Sequence, residues 1–220
     1  ELGAQHAAGA QGFTVGFQPA GPIEPGLRGR AELPPTVLRR VVVEASGRDP
    51  IRDAQVLAPI YRGEAGIDAL NRDLQAKLNP DGGKAVSDRF RIGDRLIQTK
   101  NAHELGLMNG TICFLVDDDP YEEMIVLETD VVEEVILPYS EGGDLRLAYA
   151  ISVHKSQGSE FDRVALVLPL QESPLTTREV LYTALTRQRS HLVLLHQGPL
   201  ADLRKLGSPA FSETAARVTN

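Results

Sequence analysis

The sequence predicts an α/β domain that is interrupted by a small all-β insert. Helix-like and strand-like patterns alternate before about residue 90 and again after about residue 146, whereas short strand patterns alone fill the stretch between them. Alternating elements are typical of a layered α/β sheet, and short strands separated by turn residues are typical of a small antiparallel barrel. Composition agrees, because 42% hydrophobic and 24% charged residues in 220 can form an ordinary buried core.

These patterns divide the chain into three parts. Residues 1–36 are rich in glycine and proline and are expected to be irregular. Residues 37–89 and 146–220 are expected to form the α/β domain, and residues 90–145 the β insert.

Apolar spacing predicts the individual elements of the α/β part. In chain order they are a helix over 38–45, a strand over 55–60, a helix from 67 to 78 that Asn79-Pro80 ends, a helix-like stretch over 151–157, a strand over 163–168, a helix over 177–187 and a strand over 192–196.

The insert is predicted to hold short strands that polar turns separate. Its strand candidates are residues 95–99, 111–116, 124–128 and 131–137.

The charge is unevenly distributed. The net charge is −7, yet 11 carboxylates lie between Asp117 and Asp144, where there is no Lys or Arg. The rest of the chain holds 19 acidic against 23 basic residues. A nucleic-acid partner is therefore compatible with the acidic total, if the acidic stretch faces away from it. The alternative is a solvated acidic face with no such role.

Several classes of protein are disfavoured. No apolar run approaches the roughly 18 residues of a membrane-spanning helix, so no membrane partner is expected. The single cysteine, Cys113, has no companion at metal-ligand spacing, so no metal site is predicted on this chain, and the residue is expected to be a buried apolar side chain. A lone cysteine favours a cytoplasmic location. The start lacks both a secretory signal and a Met, and a cut or processed start is expected.

One short stretch, residues 152–160, carries many of the groups that bind phosphates, sugars and bases. We call Ser152–Glu160 the first segment; its polar members are Ser152, His154, Lys155, Gln157, Gly158 and Glu160. An α/β sheet places such contacts at strand ends, and the expectation here is the carboxyl end of a strand. Each residue also has a structural interpretation: Ser152 as a cap, His154 as a satisfied side chain and Glu160 as a solvated acid.

A second stretch, residues 181–189, places arginines near the end of a predicted helix. We call Leu181–Arg189 the second segment. Arg187 and Arg189 could simply complement the helix dipole. Alternatively, Arg187 is an arginine finger, a charged planar group that stabilises charge during phosphoryl transfer.

Together these stretches resemble superfamily-1 DNA helicases, and the RecD-like branch most closely. VHKSQGSEFD at 153–162 resembles motif V of that superfamily, and LYTALTRQR at 181–189 resembles motif VI. VLAPIYRGEAGIDALNRDLQAKLNP at 56–80 and GDRLIQTKNAHELGLMNGT at 93–111 resemble the RecD-like branch, the latter as the opening of its SH3-like insert. The resemblance covers residues 40–197.

The resemblance implies the second RecA-like, three-layer motor domain of an ATP-dependent helicase, with an SH3-like barrel insert. Such a domain closes on an N-terminal RecA-like domain across ATP and Mg²⁺ and moves 5′ to 3′ along single-stranded DNA. By position, Ser152, His154 and Lys155 would contact DNA.

The same resemblance assigns the remaining site residues. Gln157, Gly158 and Glu160 would face the nucleotide, Glu160 toward the ribose, and Arg187 would meet the γ-phosphate. Arg62 is a further DNA-contact candidate, with a structural role in its turn as the alternative. DNA repair and recombination proteins are the further partners that this family implies.

The chain departs from the family pattern in lacking a phosphate loop. No G-x-x-x-x-G-K-[ST] occurs, and the one Gly-Lys pair lies in the loop-like NPDGGKA. ATP and Mg²⁺ would therefore be held mainly by the absent N-terminal domain, and the chain alone is expected to be inactive as an ATPase. Two alternatives stay open: a stand-alone DNA- or protein-binding module, and the helicase part of a conjugative relaxase.

Overall fold

A computed structural model describes most of the chain between residues 49 and 196. The described residues are 12–17, 49–63, 65–82, 84–85, 89–130, 133–169 and 177–196. The chain divides into two compact units, one of Glu1–Leu70 with Ile151–Asn220 and one of Asn71–Ala150. The first is the sheet unit and the second the insert unit.

Strands and helices are numbered here in chain order. The strands are β1 (Gly12–Phe17), β2 (Ala54–Ala58), β3 (Lys84–Ala85), β4 (Phe90–Arg91), β5 (Arg95–Gln98), β6 (Ile112–Asp119), β7 (Met124–Thr129), β8 (Val135–Pro138), β9 (Leu145–Leu147), β10 (Ala150–Ser152), β11 (Phe161–Leu168) and β12 (Gln188–His196). The described α-helices are α1 (Pro50–Asp53), α2 (Ile67–Leu78) and α3 (Arg178–Leu185), and two short 3-10 helices span His103–Leu105 and Tyr139–Asp144.

The sheet unit is built on a five-stranded sheet in the order β1-β12-β11-β2-β10. Three neighbouring pairs are parallel, namely β1 with β12, β12 with β11, and β11 with β2. Residues Val164–Leu168 of β11 are all buried, as are Val56 and Leu57 of β2. Continuous apolar strands of this kind are typical of a parallel sheet that is covered on both faces.

The insert unit contains an antiparallel sheet in the order β8-β7-β6-β5-β9. Residues of β7 are half-buried and buried in turn, as expected for a strand with one face on a core, whereas all four residues of β5 are buried. The core of this sheet includes Leu96, Cys113, Leu115, Ile125, Leu127 and Leu145. Cys113 is buried, as predicted, and burial raises its pKa to about 12.

A parallel α/β sheet with a separate antiparallel sheet confirms the predicted fold class. Strand bounds agree within a few residues, and α2 begins at Ile67 and ends at Leu78 as predicted. The predicted helix over 38–45 lies outside the described residues. The domain boundaries at 37, 90 and 146 remain predictions.

Several elements differ from expectation. Helix α1 and the short strands β3, β4, β9 and β10 were not predicted. The helix-like pattern over 151–157 is wrong, because Ile151 and Ser152 end strand β10 and residues 153–158 form hydrogen-bonded turns. Within the stretch that was predicted to be irregular, Gly12–Phe17 form strand β1, which pairs with β12. Its alternating Phe13, Val15 and Phe17 favour a strand despite the surrounding glycines and prolines. The rest of residues 1–36 lies outside the described part.

Among the described residues, no helix combines the length and the apolar character that crossing a bilayer requires.

Candidate functional site

The first and second segments meet at one edge of the sheet unit. Glu160 directly precedes β11 and Arg187 directly precedes β12, and these two strands are parallel neighbours with Phe161 opposite Gln188. The Phe161 amide donates a hydrogen bond to the Arg187 carbonyl at 2.9 Å. Glu160 and Arg187 thus lie at the amino ends of β11 and β12. The first segment itself follows the carboxyl end of β10, which ends at Ser152, as the sequence led us to expect.

Hydrogen-bonded turns shape the first segment. Ser152 is buried, its hydroxyl accepts from the Lys155 amide at 3.2 Å and its carbonyl accepts from the Ser156 amide at 3.2 Å. The Gln157 amide donates to the His154 carbonyl at 3.2 Å. The Ser152 hydroxyl therefore caps the turn, in line with the structural interpretation, while His154 and Gln157 are exposed and Lys155 is half-buried.

Gly158 closes these turns in a left-handed conformation. Its φ is +84°, and an added Cβ would meet nothing within 4 Å. Glycine is required there for its backbone freedom and not for lack of space. The backbone reversal allows the first segment to enter β11.

Arg187 is held by oxygens from both segments. Its Nε donates to the Thr183 carbonyl at 3.0 Å, one terminal nitrogen to the Ser159 carbonyl at 3.2 Å, and the other to the Thr186 hydroxyl at 3.1 Å. All three acceptors are neutral. No carboxylate pairs with Arg187 in the part of the chain that the structure describes, so its positive charge is not neutralised there.

Glu160 forms an ion pair across the same strand junction. Its carboxylate lies 3.2 Å from Nε of Arg189, and the two side chains are 59% and 66% exposed. Exposed pairs of this kind contribute little to stability, because water screens the charges. Glu160 therefore remains accessible, although it is not the lone solvated acid of the structural interpretation.

Arg62 lies elsewhere on the sheet unit. It belongs to the loop between β2 and α2 and is exposed. Two neighbouring carbonyls, those of Ile60 and Tyr61, accept from the Ile67 and Asp68 amides at 3.0 and 3.1 Å. The loop follows the carboxyl end of β2, which is parallel to β11. Arg62 is thus at the opposite edge from Glu160 and Arg187.

The structure accordingly brings some predicted residues together and separates others. Glu160 and Arg187 share an edge, and Gln157 and Gly158 lie in the turns that lead to it. Sequence reasoning missed Thr186 and Ser159 as the groups that orient Arg187. The adjacent Thr186 was a usable signal, because a hydroxyl beside an arginine at a helix end can bind it.

The matches to protein families cover both units. Residues 147–195 match the UvrD-like helicase C-terminal domain, and residues 70–128 match the ATP-dependent RecD-like DNA helicase SH3 domain. The chain is similar to the C-terminal region of RecD-like superfamily-1 helicases. The resemblance that the motifs indicated is confirmed, and so is the SH3-like character of the insert.

Individual RecD-like relatives agree. The chain is 39% identical over 137 residues to the ATP-dependent RecD2 DNA helicase of Deinococcus radiodurans, covering 61% of this chain and 19% of that protein. It is 28% identical over 185 residues to the RecBCD enzyme subunit RecD of Mycolicibacterium smegmatis, covering 83% and 31%. The chain therefore spans less than a third of either relative.

A solved structure of the Bacteroides Pif1 helicase with ADP-AlF3 and ssDNA is also similar. It aligns with a TM-score of 0.46 and 18% identity, over 72% of this chain and 44% of that one.

The guanidinium of Arg187 can bind an anionic ligand. Arg187 keeps an N–H on each terminal nitrogen beyond its three hydrogen bonds, and such paired donors match phosphate oxygens. In the described ranges, no group of three or more His, Cys, Asp or Glu side chains could hold a metal ion. The free N–H groups of Arg187 therefore have the geometry to bind phosphate oxygens.

Proposed function

We propose that this chain is the C-terminal motor half of an ATP-dependent, RecD-like DNA helicase. It completes the ATP site and the DNA track of a partner N-terminal RecA-like domain, which supplies the phosphate loop and Mg²⁺. The enzyme moves 5′ to 3′ on single-stranded DNA in the cytoplasm, and repair or recombination proteins are its further partners. ATP supplies the free energy for movement once it is bound between the two domains.

One observation carries this proposal. Arg187 lies between the end of α3 and the start of β12. Three neutral oxygens accept its hydrogen bonds, and it has no carboxylate partner among the described residues. A guanidinium in that state keeps its charge and can stabilise a transferring phosphoryl group.

The site residues have distinct proposed roles. Gln157, Gly158 and Glu160 face the nucleotide, while His154 and Lys155 contact the DNA backbone. Ser152 contributes to DNA contact by stabilising the turn that carries Lys155, whose amide donates to its hydroxyl. Arg62 is assigned to the DNA track, on the opposite edge of the sheet.

The test is Arg187→Ala in the complete enzyme that carries this chain. Loss of an arginine finger lowers ATP turnover by about 10³-fold or more, because the transition-state charge is no longer stabilised. Single-stranded DNA affinity should change by less than about threefold, since Arg187 is proposed to contact phosphate of ATP and not of DNA.

Steady-state ATP hydrolysis with saturating oligonucleotide and a fluorescence titration of DNA measure the two effects. The control is Arg72→Ala, which removes an exposed arginine of α2 and should leave turnover unchanged. Unchanged turnover in Arg187→Ala would exclude the arginine-finger role.

A further inference from the structure

The hydroxyl of Thr186 connects Arg187 to the end of α3. Thr186 Oγ1 donates to the Thr183 carbonyl at 2.9 Å and accepts from a terminal nitrogen of Arg187 at 3.1 Å. The Thr186 amide also donates to the Tyr182 carbonyl at 3.1 Å. The threonine is therefore fixed by its backbone and its side chain at the residue directly before the arginine.

The direction of these hydrogen bonds is set by chemistry. A carbonyl oxygen can only accept, so the single Thr186 proton points to Thr183. The lone pairs of the hydroxyl are thereby left for the arginine, which can only donate. This polarity makes Thr186 an acceptor with a defined orientation.

Each of the three guanidinium nitrogens of Arg187 donates to a different acceptor, and together these hydrogen bonds fix the plane of the guanidinium. The Thr183 and Ser159 carbonyls hold Nε and one terminal nitrogen at 3.0 and 3.2 Å, and both are backbone groups. Thr186 provides the one acceptor that is a side chain. It is also the contact that a substitution can remove without moving the backbone.

We propose that Thr186 is a positioning residue for Arg187 in ATP hydrolysis. It holds the guanidinium plane so that the remaining N–H on each terminal nitrogen points in a fixed direction, toward the phosphates. A neutral hydroxyl orients the arginine without neutralising it, whereas a carboxylate would compete with phosphate for the charge. This inference rests on the proposed function of Arg187.

The test compares Thr186→Val with Thr186→Ser in the complete enzyme. Valine has nearly the same shape but no hydroxyl, so kcat for DNA-stimulated ATP hydrolysis should fall by about five- to tenfold, the effect of one lost orienting hydrogen bond. KM for ATP should change by less than about twofold, because binding depends mainly on the other domain. Serine keeps the hydroxyl and should retain kcat within about twofold.

Two further variants separate this role from a structural one. Tyr182→Phe removes an exposed hydroxyl from the same helix and should leave kcat unchanged. Thr186→Val added to Arg187→Ala should lower kcat no further, because the residues act as a unit. Thermal unfolding confirms that each variant is folded, and Thr186→Ala replaces Thr186→Val if the latter fails to fold.

The outcomes are distinguishable. Normal kcat in Thr186→Val or Thr186→Ala, together with loss of turnover in Arg187→Ala, overturns the positioning role and leaves the proposed function standing. Equal losses in the valine and serine variants also overturn it, since the hydroxyl would then be irrelevant. Normal turnover in Arg187→Ala overturns both.

Discussion

Asp94 lies in the insert unit without any exposed surface. Its carboxylate accepts from the side chains of Gln75, Asn79 and Tyr149 at 2.6, 2.9 and 2.8 Å and from the Arg91 amide at 2.7 Å. Burying an acid is costly unless hydrogen bonds compensate for lost water, and here four do. Asp94 thereby ties the later turns of α2 to β4 and to the residue before β10.

Tyr149 makes the stability of this network depend on pH. Burial, and then the charge of Asp94, raise the pKa of Tyr149 well above its usual value near 10. The folded state therefore keeps the phenol neutral while the unfolded state ionises it. Stability from this group is complete below pH 10 and is lost as pH rises from about 10 toward the raised pKa.

Tyr149→Phe tests that dependence. At pH 8 the variant should be less stable by about 1 kcal/mol, because the hydrogen bond to Asp94 is lost. At pH 11 the difference in stability should shrink or reverse, because only the unmutated protein loses the contribution of Tyr149, by up to about 1.4 kcal/mol per pH unit above 10. Urea unfolding at both pH values measures it.

Cys113 and Tyr139 also have raised pKa values, of about 12. Both residues are present in the unmutated protein and in the variant, so the difference between the two proteins reports Tyr149 alone. Tyr121→Phe is the control, because Tyr121 is 96% exposed and its hydroxyl should not affect stability. An equal Tyr149→Phe effect at pH 8 and pH 11 would contradict the linkage.

At the scale of elements, the turns of the first segment depend on one backbone conformation. Gly158 has a φ of +84° in open space, so Gly158→Ala should destabilise the chain by about 1 kcal/mol through backbone strain alone. Gly158→Asn should cost less, because asparagine tolerates the left-handed region. Urea unfolding of both variants measures the difference.

Gly143→Ala is the matched control for Gly158. Its Cβ also meets nothing within 4 Å, and its φ lies outside the strained region. The substitution should therefore be neutral or slightly stabilising. Equal effects at Gly143 and Gly158 would mean that the left-handed conformation carries no cost.

Most elements could be predicted where one apolar period dominates. Helix α2 repeats apolar residues every three or four positions, and Val164–Leu168 form one continuous apolar run. The prediction for residues 151–157 was wrong because the sequence fits two structures. The whole stretch fits a short helix, but Ile151 and Val153 also fit a strand and the polar residues after them fit a turn. Pairing with β2 in the sheet decided the outcome.

At the scale of the whole molecule, the candidate site could be predicted only in part. The residue types of the two segments indicated a phosphate ligand, but their meeting depends on β11 and β12 being neighbours. That adjacency arises from strand order, which local patterns do not encode. The contacts of Arg187 with backbone oxygens of Thr183 and Ser159 were equally hidden, because any residue supplies a carbonyl.

The proposed division of the motor between this chain and an N-terminal domain leads to a prediction about the chain as a whole. The sequence holds an arginine-finger candidate but no phosphate loop. Without backbone amides and a lysine around the phosphates, ATP would be neither held nor aligned, so the proposed catalytic arginine would have nothing to act on. The isolated 220-residue chain should therefore hydrolyse ATP no faster than a blank.

Adding a separately produced N-terminal domain that carries a phosphate loop should restore DNA-stimulated hydrolysis if the two pieces associate. The same mixture with the Arg187→Ala chain is the control, and it should stay inactive because the finger must come from this chain. Phosphate release measured against chain concentration reports both association and turnover. Hydrolysis by the isolated chain at the rate of the mixture would contradict a divided ATP site.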